Sequence, residues 1–168
     1  FEAIIRATAG QFDEMGDKLP VVDLGAGRTA VDLATGYAGA SCAVLDDGSV
    51  KCWGFGGTGL GLGDRDNRGD APGEMGDSLP ALALGSGRTA VAIGAGYWHL
   101  CALLDDWSVK CWGVNDMAQL GYQTCCAAMT IGDNLREMGD NLPVVEFAAE
   151  RTARSLAVGG SHACAVLD

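Results

Sequence analysis

The sequence predicts an all-β fold of tandem repeats, about 60 residues each, arranged as blades of an incomplete β-propeller. The motif Glu-Met-Gly-Asp begins at Glu14, Glu74 and Glu137, at intervals of 60 and 63 residues. The 26 glycines, with Pro and Asp, bound short apolar segments, and no segment shows a sustained helical period with caps. Because four short strands make one propeller blade, we expect four antiparallel strands per repeat.

The repeats divide the chain into four parts. Residues 1–13 end a preceding repeat, 14–73 form repeat 1, 74–136 form repeat 2, and 137–168 form a truncated repeat 3. Each copy continues with Leu-Pro, then Arg-Thr-Ala, then a glycine-rich approach to a cysteine. Closed propellers contain roughly four to eight blades. With under three, we expect this chain to be part of a longer protein or to be completed by other chains.

The strands of the first repeat are predicted at residues 21–24, 30–34, 41–45 and 49–53. The last two form a hairpin, CAVLDDGSVKCWG at 42–54, in which Gly48 supplies the positive φ of the turn. The hairpin recurs as CALLDDWSVKCWG at 101–113 and begins again as CAVLD at 164–168. Trp107 replaces the turn glycine, so it must adopt a positive φ or change the turn type. Trp107 and Trp98 are candidate interface residues, with local packing between blades as the alternative.

Seven cysteines are the main indication of compartment. Cys42 faces Cys52, and Cys101 faces Cys111, across the predicted hairpins at a separation that suits disulfides. Disulfides favour an extracellular or cell-surface location. Two alternatives remain: zinc, for which each hairpin offers only two ligands, and reduced, buried cysteines in a cytosolic protein. Three further cysteines are candidates for cross-links between repeats or chains: Cys125, Cys126 and Cys164.

The charge balance limits the partners. The net charge of −11 disfavours nucleic acid and acidic membranes, whereas a basic partner, a divalent cation or no charged partner is compatible with it. No run approaches the roughly 20 apolar residues needed to span a bilayer. We therefore expect a protein partner and no membrane span.

An acidic loop at residues 61–70 is a weak candidate for calcium. Asp64, Asp66 and Asp70 have a suggestive spacing, but Arg68 occupies a ligand position and Met75 stands where a bidentate Glu belongs. A solvated loop is therefore favoured, and no cofactor is expected. The same loop contains the tripeptide Arg-Gly-Asp at 68–70, which is a weak adhesive signal.

Three stretches carry a resemblance to a known family. Gly-Tyr-Trp-His-Leu-Cys at 96–101, Gly-Gly-Ser-His-Ala-Cys at 159–164 and Trp-Gly-Val-Asn-Asp-Met-Ala-Gln-Leu-Gly at 112–121 resemble the regulator of chromosome condensation repeat family. The long period and hairpin cysteines are more similar to secreted or surface members than to the nuclear exchange factor. The resemblance implies a β-propeller, usually of seven blades, and makes His99 and His162 structural turn residues.

These observations favour a non-enzymatic extracellular module that builds structure or binds proteins, as in a surface or fibrous assembly. No Ser or Cys nucleophile recurs beside a His and an orienting carboxylate, so we expect no enzyme. Self-association is the expected interaction, with the apolar residues Phe1, Ile4 and Ile5 of one chain covering the strand edge at 161–167 of another. The alternative, implied by the resemblance, is a guanine-nucleotide exchange factor or an enzyme inhibitor.

Overall fold

The computed structural model describes residues 20–122, 130–148 and 151–168. It confirms the all-β prediction, since no α-helix occurs in those ranges. The strands are β1 (Ala30–Thr35), β2 (Ala40–Leu45), β3 (Val50–Gly54), β4 (Ala90–Ala95), β5 (His99–Leu104), β6 (Val109–Val114), β7 (Thr130–Ile131), β8 (Ala153–Val158) and β9 (Ala163–Leu167). Three-residue 3-10 helices lie at Gly56–Thr58, Gly76–Ser78 and Gly139–Asn141.

The strands form three antiparallel sheets, one per repeat, in the orders β1-β2-β3, β4-β5-β6-β7 and β8-β9. The second sheet has the expected four strands, but its fourth strand is β7, which pairs with Gly113 and Val114 of β6. In the first sheet a single bridge between Gly54 and Arg68 takes the same place.

The predicted strand at residues 21–24 is therefore wrong, because this segment belongs to no sheet. The counterpart segment in repeat 2 makes one backbone bond to the preceding sheet, from Leu82 N–H to Val50 O at 2.8 Å. Pro80, which precedes it, has no N–H to extend a ladder. An apolar segment of this kind thus packs on a sheet edge without becoming a strand.

The sheets pack in sequence order, as propeller blades do. One core cluster joins the first and second sheets, with Cys42 and Val44 on one side and Leu104 and the fully buried Trp112 on the other. A second cluster joins the second and third sheets. The inner strands β1, β4 and β8 lie side by side, and the Asp32 carboxylate accepts a hydrogen bond from Ile93 N–H at 2.9 Å. The first and second repeats are therefore held together by this hydrogen bond as well as by apolar contacts.

Candidate functional site

Both predicted hairpin disulfides are present. Cys42 is the cross-strand partner of Cys52, and Cys101 that of Cys111, with S–S bonds of 2.08 and 2.10 Å. All four residues are buried. Each bond links the second and third strands of its sheet in the middle of the blade, and so removes these cysteines from zinc binding. The free Cys164 is exposed on β9, whereas Cys125 and Cys126 lie outside the described residues.

The turns between the second and third strands, at residues 46–49 and 105–108, define what we call the aspartate end of the sheets. Here the Arg of each Arg-Thr-Ala motif pairs with the hairpin aspartates. Arg28 Nη1 lies 3.3 Å from a carboxylate oxygen of Asp46 and 3.0 Å from one of Asp47. A hydrogen bond from the Ser49 hydroxyl, reinforced by Arg28, holds the pKa of Asp47 below its usual value.

The same arrangement recurs in the other repeats. Arg88 contacts both aspartates of the second turn, Asp105 at 3.2 Å and Asp106 at 3.4 Å. Arg151 Nε lies 3.1 Å from a carboxylate oxygen of Asp168. The pKa of Asp168 is lowered to about 2, chiefly by the hydrogen bond from the backbone N–H of Thr152 and next by the contact with Arg151. Sequence reasoning noticed this motif without giving it a role. Its nearly constant spacing, 17 or 18 residues before a hairpin aspartate, was the available signal.

Trp107 adopts the positive φ required at the turn, 66°. Its carbonyl accepts a hydrogen bond from Ala153 N–H of the next repeat, at 3.1 Å. The Arg154 guanidinium stacks over its ring, 5.4 Å from the centroid. The structure thus forms the local packing between repeats that was the alternative to an interface role, and 37% of Trp107 stays exposed.

A buried lysine joins each of the first two sheets to the next Glu-Met-Gly-Asp motif. Lys51 Nζ donates to Leu24 O at 2.9 Å and to Gly76 O at 2.7 Å, and Lys110 Nζ donates to Gly139 O at 2.8 Å. Burial lowers the pKa of Lys110 against the opposing effect of nearby acidic groups. The sequence contained the repeated lysine, but its acceptors are main-chain carbonyls that no residue pattern reveals.

The acidic loop is organised by internal contacts. Asp64 pairs with Arg68 at 2.7 Å, and Asp70 accepts a hydrogen bond from Asn67 at 2.9 Å that lowers its pKa. In the described ranges no three His, Cys, Asp or Glu side chains come together as a metal site. Since Arg68 is engaged with Asp64, the Arg-Gly-Asp tripeptide does not present its arginine freely.

The opposite end of the sheets, which we call the tyrosine end, contains the turns at residues 36–39, 96–98 and 159–162. Its large apolar side chains, Tyr37, Phe55, Tyr97 and Trp98, are between 44% and 79% exposed. The Tyr37 and Tyr97 rings lie 5.1 Å apart between centroids. Phe1, Ile4 and Ile5, the other predicted interface residues, lie outside the described residues.

His99 lies just beneath this end and is only 2% exposed. Neither ring nitrogen has a hydrogen-bond partner in the described part of the chain. Burial, reinforced by the nearby His162, lowers the pKa of His99. His99 also lines a cavity of about 10 Å³ beside Trp98, room for one water molecule. The neutral, enclosed ring fits the structural role that the resemblance implied.

None of the described helices combines the length and apolar composition required to cross a membrane.

Comparison with known proteins bears on both fold and family. Residues 90–119, which include β4, β5 and β6, match the family model for the regulator of chromosome condensation (RCC1) repeat. A chain from the crystal structure of Kap60 bound to yeast RCC1 (Prp20) is 20% identical, with a TM-score of 0.63 over 99% of this chain and 35% of that chain.

Two further structures have the same fold. Prp20p from Saccharomyces cerevisiae is 15% identical, with a TM-score of 0.59 over 87% of this chain and 32% of that chain. Human WBSCR16 is 17% identical, also with a TM-score of 0.59, over 86% of this chain and 35% of that chain. This chain spans about a third of the length of each. Residues 90–119 are therefore similar to a regulator of chromosome condensation repeat, and the chain has the fold of RCC1 propeller blades.

Proposed function

We propose that this protein is a non-enzymatic, extracellular interaction module whose repeats associate with further copies of themselves in a surface or fibrous assembly. The observation that carries the proposal is the pair of buried disulfides at equivalent positions, Cys42–Cys52 and Cys101–Cys111. Such bonds persist in oxidising compartments and stiffen each blade. The relatives support a protein partner: yeast RCC1 (Prp20) was crystallised bound to Kap60, and Prp20p binds Gsp1p and histones.

Repeat-to-repeat packing supplies a mechanism for association. The second and third sheets meet through apolar residues of both, including Cys101 and Leu103 on one side and Ala163 and Leu167 on the other. Because each such face matches the next repeat, a second copy offers a complementary surface to any repeat face left uncovered.

Intact mass analysis of native protein, with thiols alkylated before and after reduction, tests the compartment. We expect the four hairpin cysteines to resist alkylation until reduction. Sedimentation velocity of the same material then tests association, and we expect species larger than one chain. Free hairpin thiols in native material would contradict the extracellular proposal. A single monomeric boundary together with acceleration of nucleotide exchange on a small GTPase would contradict self-assembly in favour of a regulatory role.

A further inference from the structure

We propose that the tyrosine end binds a protein segment that presents arginine or lysine side chains to the exposed rings of Tyr37, Tyr97 and Trp98. This inference deepens the proposed interaction function and rests on it. It names the surface and the chemistry of its partner. Aromatic faces attract cations through the ring quadrupole, and Tyr and Trp are the residues that most often dominate binding at interfaces.

The fold does not require these aromatic residues. Repeat 3 has Gly160 at the position of Tyr97 and Ser161 at the position of Trp98, and its turn forms the same bond from Gly159 N–H to His162 O, 2.8 Å. Repeat 1 has Gly39 where repeat 2 has Trp98. Since small residues build the corresponding turn of repeat 3, the half-exposed rings form an apolar patch that the turn itself does not require.

The rings are also held in place before any partner arrives. Tyr37 N–H donates to Gly96 O at 3.3 Å, and Tyr97 N–H donates to Gly160 O at 2.8 Å, so the successive turns form one ladder. The Tyr97 ring covers Gly160 so closely that a methyl group added there would lie 2.9 Å from it. A preorganised surface loses little conformational entropy on binding.

The electrostatics select a cation over an anion. The turns at residues 36–39 and 96–98 contain no charged residue, and the loop after β6 adds an exposed carboxylate, Asp116. The whole chain has a net charge of −11, which attracts basic segments and repels acidic ones. The aspartate end provides an internal example, because Arg154 already stacks there on Trp107. A basic segment is therefore the occupant that both the rings and the charge favour.

The test is a calorimetric titration at physiological salt, which limits non-specific attraction between opposite charges. The cationic probe is a Gly-Arg repeat peptide of eight residues. Gly-Gln and Gly-Glu repeats of the same length, an octaproline peptide and cellohexaose serve as the comparison probes. The double variant Tyr97→Gly/Trp98→Ser copies repeat 3, and Trp107→Gly copies repeat 1 at the other end of the sheets. Thermal melting confirms that both variants are folded.

We expect the Gly-Arg peptide to bind the wild-type chain more tightly than any other probe. The double variant should lose about tenfold in affinity, the effect of two cation–aromatic contacts, while Trp107→Gly binds like wild type. Equal binding by the double variant, no binding by wild type, or preference for octaproline or cellohexaose would each overturn the inference.

Sedimentation of the same samples without peptide separates this inference from the proposed self-association. If a chain that stays monomeric binds the peptide through these rings, the result would contradict self-association but support the assignment of the tyrosine end. Conversely, a double variant that still self-associates and binds the peptide as the wild type does would contradict only the assignment of the tyrosine end.

Discussion

At the scale of single residues, repeat 2 differs from repeat 1 in the residue types that occupy positions with a positive φ. Among the residues that the structure describes, three that are not glycine have a positive φ: Trp107, Ala118 and Arg136, at 66°, 58° and 74°. Repeat 1 has glycine at each corresponding position, Gly48, Gly59 and Gly73. Since a Cβ in this conformation costs roughly 1–2 kcal/mol, repeat 2 stores strain that repeat 1 avoids.

We expect Arg136→Gly to raise the free energy of unfolding by up to about 1 kcal/mol, because relief of the strain exceeds the added chain entropy of glycine. The matched control is Gly73→Ala, at the same position of repeat 1, where a Cβ meets no atom within 4 Å. It should destabilise by about 1 kcal/mol through φ alone. Urea unfolding measures both variants, and changes of the same sign would refute the strain account.

His99 gives the protein a pH dependence of stability. Burial lowers its pKa in the folded state, whereas the unfolded chain takes up a proton near the ordinary value of 6.5. Below that value the unfolded state binds more protons, so stability falls as the pH falls from 6.5 toward the folded pKa. At neutral pH and above, both states are neutral and the effect vanishes.

The variant His99→Ala copies Ala40, which occupies this position in repeat 1. We expect its urea midpoint to fall less between pH 7.5 and pH 5 than that of the wild type. Replacement of the exposed His162 by Ala should leave most of the pH dependence in place. If His99→Ala shows the full wild-type fall, other groups control the acid response.

At the scale of elements, the disulfides and the lysines hold different parts of a blade. Each disulfide closes a loop with a sequence separation of 10, within one hairpin. The double variant Cys42→Ala/Cys52→Ala should therefore lose about 2.5 kcal/mol of unfolding free energy, chiefly because the unfolded chain gains freedom. Denaturant unfolding measures the loss. The control Cys164→Ala, at an exposed free cysteine, should change stability by less than about 0.5 kcal/mol.

Lys51 acts between elements. The variant Lys51→Met keeps the aliphatic stem but leaves the carbonyls of Leu24 and Gly76 without their buried donor, at an expected cost of about 3 kcal/mol. Lys110→Met removes one such bond, so its cost should be smaller, about 1.5 kcal/mol. Guanidinium unfolding ranks the two variants. A Lys51→Met protein as stable as wild type would show that these carbonyls find other donors.

Sequence reasoning predicted the hairpins because their information is local: paired cysteines, an Asp-Asp-Gly turn and alternating arms lie within 13 residues. It could not predict the lysine contacts, because the acceptor Gly76 O lies 25 residues from Lys51 and is a main-chain group. It misassigned residues 21–24 because a short apolar segment outside a sheet can have the same composition as a strand. Of the exposed rings at the tyrosine end, only Trp98 was named as an interface candidate, because the sequence does not reveal how exposed a side chain is.

At the scale of the whole molecule, the repeats are coupled through inner strands that approach closely. A Cβ added to Gly94 of β4 would lie 2.4 Å from a methyl group of Val158 in β8. The variant Gly94→Ala should therefore push the third sheet away from the second. We expect faster hydrogen exchange at Ala153 N–H, which donates across this junction to Trp107 O, and unchanged exchange at Leu45 N–H in the first sheet.

Uniformly faster exchange in all three sheets would contradict this expectation, because it would show that the array opens as a single unit. A local effect instead fits a stack in which each repeat contacts only its neighbours, so that stability is a sum over repeats and junctions.

The lysine contacts also bear on how such a chain can be recombined. Lys51 holds Gly76, and Asp77 accepts a hydrogen bond from Ala26 N–H, so the motif that opens repeat 2 in the sequence completes the blade of repeat 1. A recombination crossover at Glu74 would therefore join the blade of repeat 1 to a Glu-Met-Gly-Asp motif from a different sequence. A crossover at residues 85–87, which lie after this motif and before β4, would instead transfer whole blades. The boundaries of the structural blade thus differ from the boundaries of the repeat that the sequence motif defines.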